Sequence, residues 1–102
     1  FEAIRSYSPY QAVRDGEDYP AVMLTTGDLD TRVPPLQARK MTARLQAAST
    51  SGRPVILWYD EMGGHAAGRG RPTSLQIQDA ARELAFLGSM LGLTLPEQPG
   101  AP

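Results

Sequence analysis

Two side chains in this sequence have the types needed for acid–base chemistry, Asp30 and His65. His65 is the only histidine, and imidazole is the side chain best suited to accept and return a proton near neutral pH. A carboxylate such as Asp30 could orient an imidazole and stabilise its charged form. The pair therefore suggests a general base with an orienting acid.

Each residue follows an apolar run, and each has a simpler alternative role. Asp30 lies just after the run 21–26 and Gly27, where a carboxylate could instead cap a turn. His65 lies in a glycine-rich loop, 60–71, and a lone histidine could be structural or merely exposed. The glycines favour an active role, because they let the backbone around the imidazole approach another side chain closely.

The apolar runs predict the elements that position this pair. Two continuous runs, 21–26 and 54–59, are typical of strands covered on both faces of a parallel sheet. An apolar stripe of period 3.6 predicts a helix over 36–48 between them, and another predicts a helix over 75–91 that begins near Pro72. Before the first strand, the sequence predicts a short helix over 1–7 and a surface loop over 10–19.

The predicted order of strand, helix, strand and helix forms a βαβα unit of α/β class. In parallel sheets catalytic groups collect at the carboxyl ends of strands, so Asp30 and His65 should share one edge if the strands are neighbours. Two strands and two helices cannot cover both faces or pair both sheet edges. We therefore expect this segment to be part of a larger α/β sheet.

No nucleophile accompanies the pair. Asp before His is the order of the α/β-hydrolase arrangement, in which a serine in a G-x-S-x-G motif precedes both. That motif does not occur around any of the six serines, which are Ser6, Ser8, Ser49, Ser51, Ser74 and Ser89. We therefore expect the nucleophile to lie elsewhere, and the start at Phe1 suggests a processed or excised piece.

Composition excludes several other classes of function. A formal net charge of −1 and a pI near 5.7 give no support for nucleic-acid binding. The absence of cysteine excludes disulfides and thiolate sites, and with one histidine a metal site is not expected. No apolar run is long enough to span a membrane. The compartment is not determined, although the cytoplasm or periplasm is expected.

Several strings together resemble the late catalytic domain of the prolyl oligopeptidase family of serine peptidases, in order and with compatible spacing. They are Tyr7-Ser8-Pro9-Tyr10, Tyr19-Pro20, the run from Leu24 to Pro34, Gly64-His65-Ala66-Ala67-Gly68 and Phe86-Leu87-Gly88. The resemblance covers most of the chain. It implies that residues 1–95 are the C-terminal part of an α/β-hydrolase catalytic domain, a βαβα portion of its parallel sheet, and that 96–102 form a flexible tail.

The resemblance also implies roles. Asp30 would be the triad acid, His65 the base that activates an upstream serine, and Arg32 a donor to a substrate carbonyl beside the proline. The implied reaction is peptide hydrolysis after proline in short peptides, without a cofactor. Thr31 departs from the family pattern, since many relatives have a second aspartate there. Two alternatives stay open, a small α/β interaction domain without activity and an esterase of the same fold. Trp58 and Tyr59 are expected to support the core or a loop.

Overall fold

The structure of the protein is a computed structural model, and residues 1–65 and 71–94 are described. It divides into two compact units, residues 1–67 and 68–102. The helices and strands are α1 (Glu2–Ser6), α2 (Pro9–Ala12), β1 (Val22–Gly27), α3 (Leu36–Ala48), β2 (Val55–Asp60) and α4 (Thr73–Met90). The order therefore contains the βαβα unit expected from the apolar runs.

The two strands pair in parallel, from Val22 opposite Val55 to Gly27 opposite Asp60. They are neighbours in the sheet, which has two strands within the described residues. Each strand is only half covered: Ile56, for example, is 40% exposed. Within the first unit, residues 1–65 thus do not supply the predicted cover on both faces.

A small core joins α3 to this sheet. Its buried apolar members are Val13, Leu45, Ala48 and Val55, with four half-buried side chains around them: Tyr19, Val22, Leu24 and Met41. The predicted stripe of α3 faces this core, and Thr42 joins it because its hydroxyl donates to the carbonyl of Ala38, 2.8 Å away.

The segment before β1 is more ordered than predicted. The helix α2 begins at Pro9 and continues to Ala12, so its last three residues lie in the stretch 10–19 that was expected to be a loop. A proline suits the first turn of a helix, where its missing N–H has no partner to lose. Beyond α2, Arg44 of α3 pairs with Asp15 and donates to the carbonyl of Val13, 2.7 Å away. These contacts fix the loop against α3, and the Asp15 carboxylate raises the pKa of Arg44.

The second unit contains α4, which agrees with the helix predicted over 75–91. It ends in a left-handed turn at Gly92 (φ 68°), where Leu93 N–H donates to Gly88 and Gly92 N–H donates to Ser89. Its apolar stripe is exposed: Ile77, Leu84, Leu87 and Leu91 are between 51% and 71% accessible. No helix of the described residues is long and apolar enough to cross a membrane. The predicted tail, 96–102, lies outside the described residues, and its separation from 1–95 stays a prediction.

Candidate active site

Asp30 and His65 meet at the carboxyl end of the sheet. The Nδ1 of His65 lies 3.0 Å from Oδ2 and 3.1 Å from Oδ1 of Asp30. The two residues follow neighbouring parallel strands, which is why residues so far apart in sequence share one edge. With the Nδ1 proton donated to the carboxylate, the other ring nitrogen, Nε2, is the one that can accept a proton.

Asp30 belongs to the acid loop, which we define as residues 28–33. Its Oδ1 accepts the backbone N–H of Arg32 at 2.9 Å and of Val33 at 2.8 Å. The hydrogen bond from Val33 is the main cause of a pKa of Asp30 below its usual value, and those from His65 and Arg32 add to it, against partial desolvation. The carboxylate therefore caps a turn and holds the imidazole at the same time, so the two roles considered from the sequence coexist.

The two members of the pair differ in their exposure. The Asp30 side chain is 11% accessible, whereas that of His65 is 44% accessible. Within residues 1–65 and 71–94, the Nε2 of His65 makes no hydrogen bond. A sheltered acid behind an open imidazole is the arrangement that a general base requires, because the ring must reach a reacting proton from its other side.

The histidine loop, residues 61–65, is tied closely to the acid loop. The Leu29 N–H donates to the carbonyl of Gly63 at 2.9 Å, and the Asp28 N–H donates to the carbonyl of Asp60 at 2.9 Å. Gly27 and Gly63 approach so closely that a Cβ on Gly27 would collide with the Gly63 carbonyl. The missing side chain of Gly27 therefore permits the short distance between the two loops, and a Cβ on Gly63 would in turn strike the side chain of Asp60.

The third predicted residue, Arg32, touches the pair only through its backbone. Its N–H donates to Asp30, and its guanidinium makes no hydrogen bond or ion pair with any residue in 1–65 or 71–94. The donor groups of the side chain are thus available to a ligand. No group of three or more potential metal ligands occurs in the part of the chain that the structure describes.

A second side-chain contact at this edge was not foreseen from the sequence. The hydroxyl of Tyr59 donates to Oδ1 of Asp28, two residues before Asp30. The signal was present in the two strands, since Tyr59 pairs with Thr26 in the parallel register and Asp28 follows just beyond. Without that register, an apolar run ending in Trp58-Tyr59 gives no indication of which loop the phenol meets.

Comparison with known proteins decides the family. The sequence model of the prolyl oligopeptidase family matches residues 1–94. The chain belongs to this family. It is 37% identical over 93 residues to prolyl endopeptidase of Elizabethkingia miricola, covering 91% of this chain and 13% of that protein. It is 35% identical over 95 residues to Protease 2 of Moraxella lacunata, covering 93% of this chain and 13% of that protein.

The fold agrees with that of solved family members. Prolyl oligopeptidase B of Galerina marginata, bound to a 35mer hydrolysis and macrocyclization substrate, superposes with a TM-score of 0.82 and 32% identity. The match covers 93% of the present chain and 13% of the Galerina marginata chain. The chain thus spans about 13% of the length of the relatives it matches, and its α/β unit corresponds to one part of their structure.

Proposed function

We propose that this chain is the C-terminal segment of a serine peptidase and supplies the triad acid and base, Asp30 and His65, to a serine upstream. The observation that carries the proposal is the contact of 3.0 Å between the Nδ1 of His65 and the Asp30 carboxylate, in a chain of the prolyl oligopeptidase family. Neither the contact nor the family alone would assign both roles.

In the proposed reaction, the Nε2 of His65 takes the proton of the serine hydroxyl as the serine oxygen attacks the substrate carbonyl. The tetrahedral intermediate then expels the amine, to which His65 returns the proton, and leaves an acyl-enzyme. Water, deprotonated by the same nitrogen, hydrolyses the acyl-enzyme and regenerates the serine. Throughout, Asp30 holds the ring orientation and stabilises the imidazolium.

Cleavage after proline in short peptides is the proposed preference. Its support is the position of Arg32, whose guanidinium is available for a ligand and lies in the same turn as Asp30. A planar fork of donors suits a backbone carbonyl of the substrate. The relatives include both prolyl endopeptidases and a Protease 2, so the reaction class has wider support than the preference for proline.

The exposed apolar surface is explained if this chain is a segment of a larger domain. Ile56 of β2 is left uncovered within the first unit and the stripe of α4 within the second, although such side chains usually pack. A larger domain would supply the missing cover, the paired sheet edge and the serine. An autonomous interaction domain would have to leave this surface in water, which favours the peptidase segment. The isolated chain of 102 residues should accordingly be inactive.

The test uses the full-length protein that contains this segment. Chromogenic peptide amides with proline, alanine or arginine before the cleaved bond, and the matching proline ester, are compared at equal concentrations. We expect the proline amide to be cleaved fastest, His65→Ala to abolish its cleavage, and Glu61→Gln, an exposed neighbour in the histidine loop, to retain it.

Other outcomes would each correct a stated part of the proposal. Preference for arginine would contradict the specificity for proline. Cleavage of the ester alone would replace peptidase with esterase. An amide hydrolysis that survives His65→Ala would contradict the assignment of the base itself.

A further inference from the structure

The acid loop carries two carboxylates, and each has its own partner from the β2 side of the sheet edge. Asp30 pairs with the Nδ1 of His65 at 3.0 Å, whereas Asp28 accepts the hydroxyl of Tyr59. Two residues of chain span at most about 7 Å, so the backbone positions that carry the two carboxylates lie close together in this loop. The loop thus offers two acceptors where the proposed reaction uses one.

Tyr59 is well placed to hold the Asp28 carboxylate apart from that of Asp30. It is the fifth residue of β2 and pairs with Thr26 in β1, so its backbone is fixed by the sheet. From α3, the guanidinium of Arg39 covers the phenol ring, with its Cζ 4.7 Å from the ring centre. A strand and a helix therefore hold the ring, and the hydroxyl is presented to a fixed point beside the acid loop.

The chemistry of the contact suits this role. A phenol is neutral at physiological pH and donates one hydrogen bond, which a carboxylate accepts strongly. The bond to Asp28 raises the pKa of Tyr59, which keeps the hydroxyl protonated and therefore a donor. Asp28 is exposed and has no other side-chain donor among the described residues, so Tyr59 is what restrains it.

We propose that Tyr59 is a positioning residue that holds Asp28 away from His65, so that Asp30 alone orients the imidazole. This inference rests on the proposed function, because its effect is read through the activity of His65. Tyr59 acts on Asp28 rather than on substrate. Its loss should therefore lower kcat and leave KM nearly unchanged.

The test is a double-mutant cycle in the full-length protein with the proline amide. Tyr59→Phe releases the Asp28 carboxylate, and loss of one such hydrogen bond corresponds to a fall in kcat of about 2- to 10-fold. Asp28→Asn removes the competing charge and should retain wild-type kcat. The combination of both changes should recover the kcat of Asp28→Asn, because no second carboxylate remains to be restrained.

The matched control is Tyr10→Phe, which removes another hydroxyl from a ring covered by a cation of α3, Lys40, at 4.6 Å. It lies outside the acid loop and should leave kcat and KM unchanged. Thermal unfolding of every variant checks folding.

A purely structural tether gives a different pattern, and that pattern would overturn the inference. Asp28→Asn would then lose as much kcat as Tyr59→Phe, or the double variant would stay as impaired as Tyr59→Phe alone. An activity that depends on His65 but is unchanged by Tyr59→Phe would also overturn it. Failure of the proposed function is distinct, since His65→Ala would then retain activity.

Discussion

Substitution of Asp30 by asparagine in the full-length protein separates the two roles of this carboxylate. Both backbone donors of the turn, from Arg32 and Val33, bind the single oxygen Oδ1, at 2.9 and 2.8 Å. The oxygen of an asparagine can accept both of them. The turn should therefore form in Asp30→Asn and be lost in Asp30→Ala.

Asparagine changes the contact with His65, whose Nδ1 lies 3.0 Å from Oδ2 and 3.1 Å from Oδ1. Because Oδ1 already accepts the two backbone donors, the ring depends on Oδ2, and an amide NH₂ in its place would donate to Nδ1 rather than accept from it. The ring would then carry its proton on Nε2, which is the nitrogen that must accept the proton of the serine. The corresponding change in a classical triad lowers kcat by about 10⁴-fold through this wrong tautomer, so we expect a loss of about 10³- to 10⁴-fold here.

The assay is steady-state hydrolysis of the proline amide, with thermal unfolding of the same samples. We expect kcat to fall by that factor in Asp30→Asn while KM stays within about threefold, because substrate binding does not use this carboxylate. The melting temperature should fall less in Asp30→Asn than in Asp30→Ala. A loss of kcat below tenfold in a folded Asp30→Asn protein would refute the orienting role of Asp30.

Three further predictions concern the loops around the pair. The lowered pKa of Asp30 means that its ionised form stabilises the fold at pH values above the ordinary pKa of about 3.9. The melting temperature of the wild type should therefore exceed that of Asp30→Asn by its full amount above that pH, and the difference should vanish as the pH falls through the lowered pKa. A difference that grows on acidification would contradict this prediction. Gly27→Ala should cost about 1–3 kcal/mol in free energy of unfolding because its Cβ would strike the Gly63 carbonyl. Gly64→Ala, whose Cβ would meet no atom of the described residues closer than 4.0 Å, should be tolerated in the same denaturant titration. Arg32→Ala should lower kcat/KM for the proline amide by about 10- to 100-fold, the effect of one hydrogen bond to a charged group, and an unchanged kcat/KM would remove Arg32 from the substrate site.

The sequence predicts the sheet edge well because the prediction depends on the pattern of whole segments and not on single contacts. Two continuous apolar runs of strand length, separated by a stripe of helical period, leave few arrangements other than a parallel pair with a crossover helix. Once β1 and β2 are neighbours, Asp30 and His65 must follow strands that end at the same edge. Their meeting could thus be predicted from order and topology without any knowledge of side-chain geometry.

Finer features could not be predicted because they depend on register and close contacts. The bond from Tyr59 to Asp28 requires the alignment of Thr26 with Tyr59, and no local pattern sets that alignment. The approach of Gly27 to Gly63 is a contact between loops remote in sequence. The short helix α2 was missed because a proline that ends one helix can equally begin the next.

The cover of the strands and of α4 is a further point where sequence and structure differ in an informative way. The apolar runs predict burial, yet Ile56 is 40% exposed and Leu84 is 68% exposed. Patterns of hydrophobicity report the environment in which a segment is stable, not the part of that environment present in one chain. The difference is consistent with the 13% of the relatives' length that this chain spans.

The most direct test of the account is labelling of the full-length protein with a fluorophosphonate, followed by peptide mapping. In this reaction the serine oxygen displaces fluoride from phosphorus while the base takes the hydroxyl proton. We predict one label on a serine upstream of Phe1, and a labelling rate that falls by at least about 10³-fold in His65→Ala and is unchanged in Glu61→Gln. A label on any of the six serines of this chain, or a rate indifferent to His65→Ala, would contradict the proposal that Asp30 and His65 serve an upstream nucleophile.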